Sequence, residues 1–243
     1  MANASEPQRC TLSVVVPCLD EEQSLPALLT SLAAAGHAAP DEVLIVDGGS
    51  EDATCELARA AGATVHVSER GRGRQLALGA SRSSGELLLF LHADSHLEQG
   101  ALEHIRAAFH DASLAYAGLK QCIEHPGRFY RWIEAAADAR VRRGMVYGDS
   151  GLCVRRSAYD SAGGFAPQDL FEDYDLSRRL RAQGSWTWIE SAELVISARR
   201  WQREGILRRT LKNKLLTLAF RSGIDPARLV RYYAREPKSA KSP

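Results

Sequence analysis

Short, continuously apolar runs alternate along the chain with longer segments whose apolar positions recur every three to four residues. "LSVVVPCL" (residues 12–19), "DEVLIVDGGS" (41–50), "TVHVS" (64–68) and "ELLLFLHAD" (86–94) are the apolar runs. The first three are rich in β-branched residues and the fourth in leucine; closed by proline, glycine or polar residues, they predict buried strands. "DEEQSLPALLTSLAAAG" (20–36), "EDATCELARAAGA" (51–63), "QLALGASRSSG" (75–85) and "LEQGALEHIRAAFHD" (97–111) carry the helical period, with Ser50 as an N-cap and glycines as stops. Four strand–helix units in a row predict an α/β fold, a mostly parallel sheet covered by helices on both faces. Strands without polar alternation suit a sheet covered on both sides.

The second half is less regular. "SLAYAGLKQCIE" (113–124) predicts a strand and "GRFYRWIEAAADARVRR" (127–143) a helix. "GDSGLCVRRSAYDSAGGF" (148–165) predicts a short strand and a turn, "FEDYDLSRRLRAQG" (171–184) a helix, and "WTWIESAELVIS" (186–197) one or two strands. Two helices follow at 205–223 and 225–237, the second with Pro226 at its start, and the last residues, 237–243, are expected to be disordered. The domain division is then 1–201 for the α/β body and 202–236 for a basic helical segment packed on it.

With 45% hydrophobic and 25% charged residues among 243, the chain has the composition of a soluble globular domain. A net charge of +1 argues against nucleic acid as a partner. That charge is unevenly spread: from Arg199 onward there are 13 Lys/Arg against 3 Asp/Glu. Five cysteines without a CxxC pair read as reduced thiols of a cytoplasmic protein rather than a zinc ribbon. No signal peptide and no run of ~18–20 apolar residues is evident.

In an open α/β sheet, ligands bind beyond the carboxyl ends of the strands. Those ends bring Pro17, Asp20 and Glu21 after the first strand, and Asp47 and Gly48 after the second. The third leads to Arg70, Arg72 and Arg74, and the fourth to His92 and Asp94. "VDGGSED" lacks the spacing of a dinucleotide or P-loop fingerprint. "RGRGRQ" reads either as an anion cradle or as a mobile surface loop. His92 is either a metal ligand or a packed histidine. Asp94 is either a metal ligand or a helix N-cap. If the strand continues, His92 and Asp94 share one face; His96 reads as a loop residue.

"VVVPCLDEE", "VDGGSED", "LFLHAD", "GDSG", "FEDYDLSRRL" and "ARRW", in this order, resemble the family 2 glycosyltransferases of the GT-A fold, over about residues 12–201. The forms "VDGGS", "RGRGRQ", "LHAD" and "RRW" are similar to a small soluble bacterial subgroup sometimes assigned to arsenosugar biosynthesis. The resemblance implies a nucleoside-diphosphate sugar donor, with uridine as the family-level base, a hydroxyl acceptor that is small or lipid-linked, and Mn²⁺ or Mg²⁺. It implies a donor site of Pro17, Glu21, Asp47, Gly48, Arg70, Arg72, Arg74, Gln75, Ala93, Arg200 and Trp201. Asp94 matches the last acid of the DxD metal signature, with His92 where its first acid stands. Asp173 matches the base of an inverting transfer, with Glu172 as its helper or an acceptor ligand. "GDSG" resembles the segment before the acceptor-side strand, so Asp149 and Ser150 read as acceptor-binding, Asp149 toward an acceptor or donor hydroxyl, or else as turn chemistry.

Two departures matter. His92 replaces an acid, and Ser197 stands where processive relatives carry glutamine, so a single transfer is expected rather than polymer synthesis. A nucleotidyltransferase acting on a sugar phosphate, or a nucleotide-binding protein without turnover, stays open as an alternative. In the C-terminal helix, Ile206, Leu207, Leu211, Leu215, Leu218 and Ala219 form an apolar stripe. It reads as a face docked on the core or on another subunit; the alternative is a peripheral contact with the inner face of an anionic membrane.

Overall fold

β1 (Leu12–Cys18) is the strand on which the sheet is organised. In this computed structural model, which describes residues 9–168 and 170–233, it pairs in parallel with β2 (Glu42–Asp47) on one side and later with β4 (Leu87–Phe90) on the other. α1 (Leu25–Ala33), α2 (Thr54–Ala60), β3 (Thr64–Val67) and α3 (Arg72–Arg82) lie between them in the chain. After β4 come β5 (Ser95–Leu97), α4 (Ala101–Ala108), β6 (Leu114–Ile123), α5 (Arg128–Val141), β7 (Leu152–Arg155), α6 (Arg156–Ser161), α7 (Glu172–Leu180) and β8 (Ser185–Ile196). α8 (Arg199–Glu204), α9 (Ile206–Arg221) and α10 (Pro226–Tyr233) close the described chain. The expected disordered tail and the last residues of the final predicted helix lie outside the described residues.

The sheet order is β3-β2-β1-β4-β7-β6-β8-β5. Its first four strands are parallel, as the strand–helix alternation requires. β7 is antiparallel to both its neighbours, β6 runs parallel to β8, and β5 is antiparallel to β8. The order reverses at β1 and β4, and such a switch point opens a crevice beyond the carboxyl ends of the strands.

Alternation along β1 fills two cores. Leu12, Val14, Val16 and Cys18 pack with Leu25, Leu28, Leu32 and Ile105 on one face, and Val15 packs with Val46, Leu76, Leu88 and Phe90 on the other. Each fully buried aliphatic side chain is worth about 1.5–3 kcal/mol. α3 presses onto the sheet at Gly79, where a Cβ would overlap Val15. Cys18 and Cys153 are buried free thiols.

Several local expectations are corrected. β4 ends at Phe90, so residues 91–94 form a turn rather than more strand, and His96 lies in β5, drawn into the sheet by pairing with Val195. "RGRGRQ" is not a loop, because α3 already starts at Arg72. Gly73 lies under the chain at Ala166 and Gln168, whose carbonyls a Cβ would meet. Residues 156–161 form a helix, α6, where a turn was expected.

A third, small core of Leu170, Leu216 and Leu229, with Phe171, Phe220 and Tyr233, fastens α9 and α10 to the start of α7. The expected single stripe on α9 splits. Ile206 and Ala219 pack inward, but Leu207, Leu211, Leu215 and Leu218 are exposed, so they are not a core-facing stripe. Among the described residues no helix is long and apolar enough to cross a membrane.

Candidate active site

A cavity of about 210 Å³ opens beside the end of β4. His92 and Asp94 line it from the turn after β4, and Arg72 from the first residue of α3. Asp149 comes from the turn before β7, Asp173 from the first turn of α7, and Arg200 and Trp201 from α8. Residues far apart in sequence meet because strands adjacent in the sheet, such as β1 and β4 or β4 and β7, are distant along the chain.

Asp94 presents an oxygen set with few commitments: among the described residues its carboxylate accepts no hydrogen bond. His92 is more constrained. Its ring edge at Nε2 packs against Gly148, and burial together with the positive charge of Arg72 holds its pKa down to about 4, so it is neutral at pH 7. Among the described residues no three His, Cys, Asp or Glu side chains converge into a ready-made metal cage. A divalent cation here would therefore take Asp94 and complete its shell with substrate oxygens and water, which suits Mg²⁺ or Mn²⁺.

Glu172 is fully buried, and the guanidinium Nε of Arg72 donates to its Oε1. Burial pushes this carboxyl above its ordinary range, against the opposite pull of Arg72. Its Oε2 has no hydrogen-bond partner among the described residues. Arg72 also lies 3.7 Å from Asp173 Oδ2, which accepts the Gly148 N–H at 2.9 Å. Asp173 faces the cavity, whereas Glu172 lies behind it and orients Arg72. Asp175, two residues beyond Asp173, pairs with Arg179 at 2.9 Å.

The nucleotide-side residues predicted from the first two strands form a braced edge. Asp47 is buried and accepts N–H bonds from Gly49 and Ser50. Burial opposes its charge, but these bonds and the Ser50 hydroxyl hold its carboxyl below the usual range. Cross-bonds tie the two loops: Asp20 N–H to Ser50 Oγ at 2.9 Å, and Glu21 N–H to Thr54 Oγ1 at 2.8 Å. Burial lifts the Glu21 carboxyl above its ordinary range, against a hydrogen bond from Ser24 and helped by the charge of Asp94. Pro17 pairs with Val46 in the sheet, and Gly48 donates to the Cys18 carbonyl. These residues sit on the β1–β2 side, next to the cavity rather than lining it.

Other expected donor residues are not brought in. Gln75 spends its amide on the carbonyls of Cys18 and Val46, both at 2.8 Å, and so staples the ends of β1 and β2. Ala93 is buried in the core. Arg70 is exposed, and neither it nor Arg74 lines the cavity. A helix starting at Arg72 turns the second residue on by about 200°, away from the side that Arg72 serves. On the acceptor side, Ser150 does not line the cavity as expected: it is fully buried, with its hydroxyl accepting from Arg140 at 2.9 Å, while Arg140 also holds the cavity-lining Asp149 at 2.5 Å.

Arg140, Tyr147, Arg209, Asn213 and Tyr233 line the cavity and were not marked by the sequence. Arg140 stacks 3.8 Å over the Tyr147 ring, and Arg200 reaches the Tyr233 hydroxyl at 3.4 Å. Arg140 Nε and Asn213 Oδ1 lack protein partners among the described residues, as the wall of a site for a polar ligand would. Arg209, Asn213, Leu216 and Thr217 recur at helical spacing, a signal that marks a face but not what it faces.

Comparison with known proteins bears on the fold and the family. An uncharacterised glycosyltransferase of Mycobacterium tuberculosis is 28% identical over 169 residues, covering 61% of this chain and 74% of that protein. The 4,4'-diaponeurosporenoate glycosyltransferase of Staphylococcus haemolyticus is 36% identical over 118 residues, 45% of this chain but only 30% of that protein. Two solved structures share the fold. One is the glucosyl-3-phosphoglycerate synthase of M. tuberculosis in complex with Mn²⁺, UDP and phosphoglyceric acid (TM-score 0.63, 21% identity, 89% of this chain and 80% of that one). The other is S. aureus TarS in complex with UDP-GlcNAc (TM-score 0.63, 18% identity, 77% and 58%). Residues 13–160 match the family described as glycosyl transferase family 2, a span that runs from β1 through the switch-point turn of Asp94 into α6, and on this the chain belongs to that family of glycosyltransferases.

Proposed function

We propose that this enzyme is a divalent-metal-dependent, inverting transferase that moves a sugar from a uridine diphosphate donor to a hydroxyl of a small or lipid-linked acceptor. One observation carries the reading: an uncommitted carboxylate, Asp94, and an oriented one, Asp173, face the same cavity with Arg72 and Arg200. A metal holder, a proton acceptor and cations for a leaving diphosphate are the groups such a transfer needs.

Asp94 would hold Mn²⁺ or Mg²⁺. When bound, the ion supplies positive charge against the diphosphate oxygens. Arg72 and Arg200 stabilise the charge that gathers on the departing diphosphate, in a site partly closed to water. Asp47 and Glu21 take the nucleoside end, on the braced edge beside the cavity. Asp173 accepts the proton of the acceptor hydroxyl; the Gly148 N–H on Oδ2 fixes its direction and leaves lone pairs for the acceptor. Asp149, oriented by Arg140, binds an acceptor hydroxyl. Support for uridine and for Mn²⁺ comes from the UDP and Mn²⁺ of the M. tuberculosis synthase complex and the UDP-GlcNAc of TarS.

Calorimetric titration of UDP, GDP and UTP, each with and without Mn²⁺, tests the reading. UDP is expected to bind best, and more tightly with Mn²⁺. Preference for the triphosphate would replace this reading with nucleotidyl transfer, and binding of none would remove the donor site.

A further inference from the structure

α9 has two working faces. Arg209, Asn213, Leu216 and Thr217 form a wall of the cavity. On the other side Leu207, Leu211, Leu215 and Leu218 point outward and are 68%, 59%, 56% and 61% exposed. At about 100° per residue these four leucines fall within roughly 80° of arc, one continuous apolar strip. The strip extends onto α5: Trp132 and Phe129 are 50% and 36% exposed, and Lys214 Nζ lies 4.6 Å over the Trp132 ring. Single exposed leucines need no explanation; a contiguous apolar strip does.

The charge on the strip's own helix has one sign. Residues 205–223 hold five Lys/Arg and no acid. Arg208 flanks the leucines on one side and Lys214 and Arg221 on the other; Arg128 and Arg131 are exposed beside the aromatic pair. We propose that this face docks on an anionic lipid surface. The leucines and the Trp132 and Phe129 rings enter the boundary between headgroups and acyl chains, and the cations reach up to the lipid phosphates. A second copy of the chain fits less well, since pairing this face with itself sets cations against cations. Docked this way, the cavity lies about one helix diameter, ~10 Å, from the lipid surface. That this favours the lipid-linked acceptor rests on the function proposed above; the docking itself does not.

The test is co-sedimentation of the full chain with vesicles of phosphatidylcholine alone and of equal parts phosphatidylcholine and phosphatidylglycerol. The protein is expected to bind the anionic vesicles and not the neutral ones, and high salt should weaken binding. L211E/L215E and, separately, K214E/R221E should each lower partitioning by about tenfold or more. None of these four residues lines the cavity, so both variants should keep the wild-type melting temperature and UDP affinity; lost UDP binding in the wild type would count against the donor site alone. Absence of binding to anionic vesicles, or equal binding by wild type and L211E/L215E, overturns the docking proposal. So would light scattering that shows a dimer abolished by L211E/L215E without vesicle binding, which would make the face an interface between copies.

Discussion

Gly148 packs against the Nε2 edge of the His92 imidazole: a Cβ at this position would overlap Nε2. The same residue gives its N–H to Asp173 Oδ2, so one glycine sets the distance between the turn after β4 and the first turn of α7. G148A is expected to push these apart, costing about 1–3 kcal/mol of stability as an overpacked contact. Transferase activity should fall further than stability predicts. Thermal melting and initial rates on the same preparation check this; full activity would show that the contact is incidental.

Asp173 and Glu172 are adjacent in sequence but differ in role. D173N should lower kcat by about 10²–10⁴-fold while leaving UDP affinity and melting temperature near wild type. E172A instead strands Arg72 and should cost stability, about 3 kcal/mol, measured by denaturant unfolding. Equal effects of the two on stability would show that the division between proton acceptor and buried ion pair is wrong.

Removing Asp94 should abolish the gain in UDP affinity that Mn²⁺ confers. H92A should reduce it less, because the His92 ring is turned onto Gly148. Calorimetry with and without Mn²⁺ separates them, and a larger loss from H92A would make the histidine the principal ligand.

Of the three arginines in "RGRGRQ", only Arg72 lines the cavity. R72A is expected to weaken UDP binding and to destabilise the fold through Glu172. R70A should leave UDP affinity within about twofold, the size of effect expected of a solvent-screened charge outside the site. A loss from R70A comparable to that from R72A would bring the whole loop back as an anion cradle.

Acid sensitivity should arise partly far from the site. Burial works to raise the Glu42 pKa, but hydrogen bonds from Ser13, Ser84 and Gly85 hold it below the ordinary value. The unfolded chain therefore takes up this proton first as pH falls. The group's stabilisation is complete above about pH 4.3 and is lost as pH drops through the lower folded value. E42Q should destabilise by about 1–2 kcal/mol at pH 7, with the gap to wild type closing as pH drops through the lowered folded value. A pH-independent gap in denaturant midpoints would mean that the charge is not what matters.

The sequence by itself determined the parallel half of the fold and the edge where chemistry collects. Continuous apolar runs such as "LSVVVP" and "ELLLFL", short and alternating with helical segments, read as strands covered on both sides, and the acids and arginines that follow them then meet at one end. The motif order also pointed to the family. Only the tertiary structure decided which polar residues face inward. Gln75 looked like a donor ligand, but its amide bridges two strand ends, because buried carbonyls at the ends of β1 and β2 need a donor. Arg74 and Arg72 parted because α3 begins before the glycines end. Arg140 and Arg209 entered the site from helices with no motif, placed there by the packing of α5 on β6 and of α9 on α8 and α10. The leucines of α9 are the clearest case. Helical spacing marked an apolar stripe, but whether such a stripe faces a core or the outside depends on what packs against the helix's other side. Here Leu216 and Phe220 take the inward face.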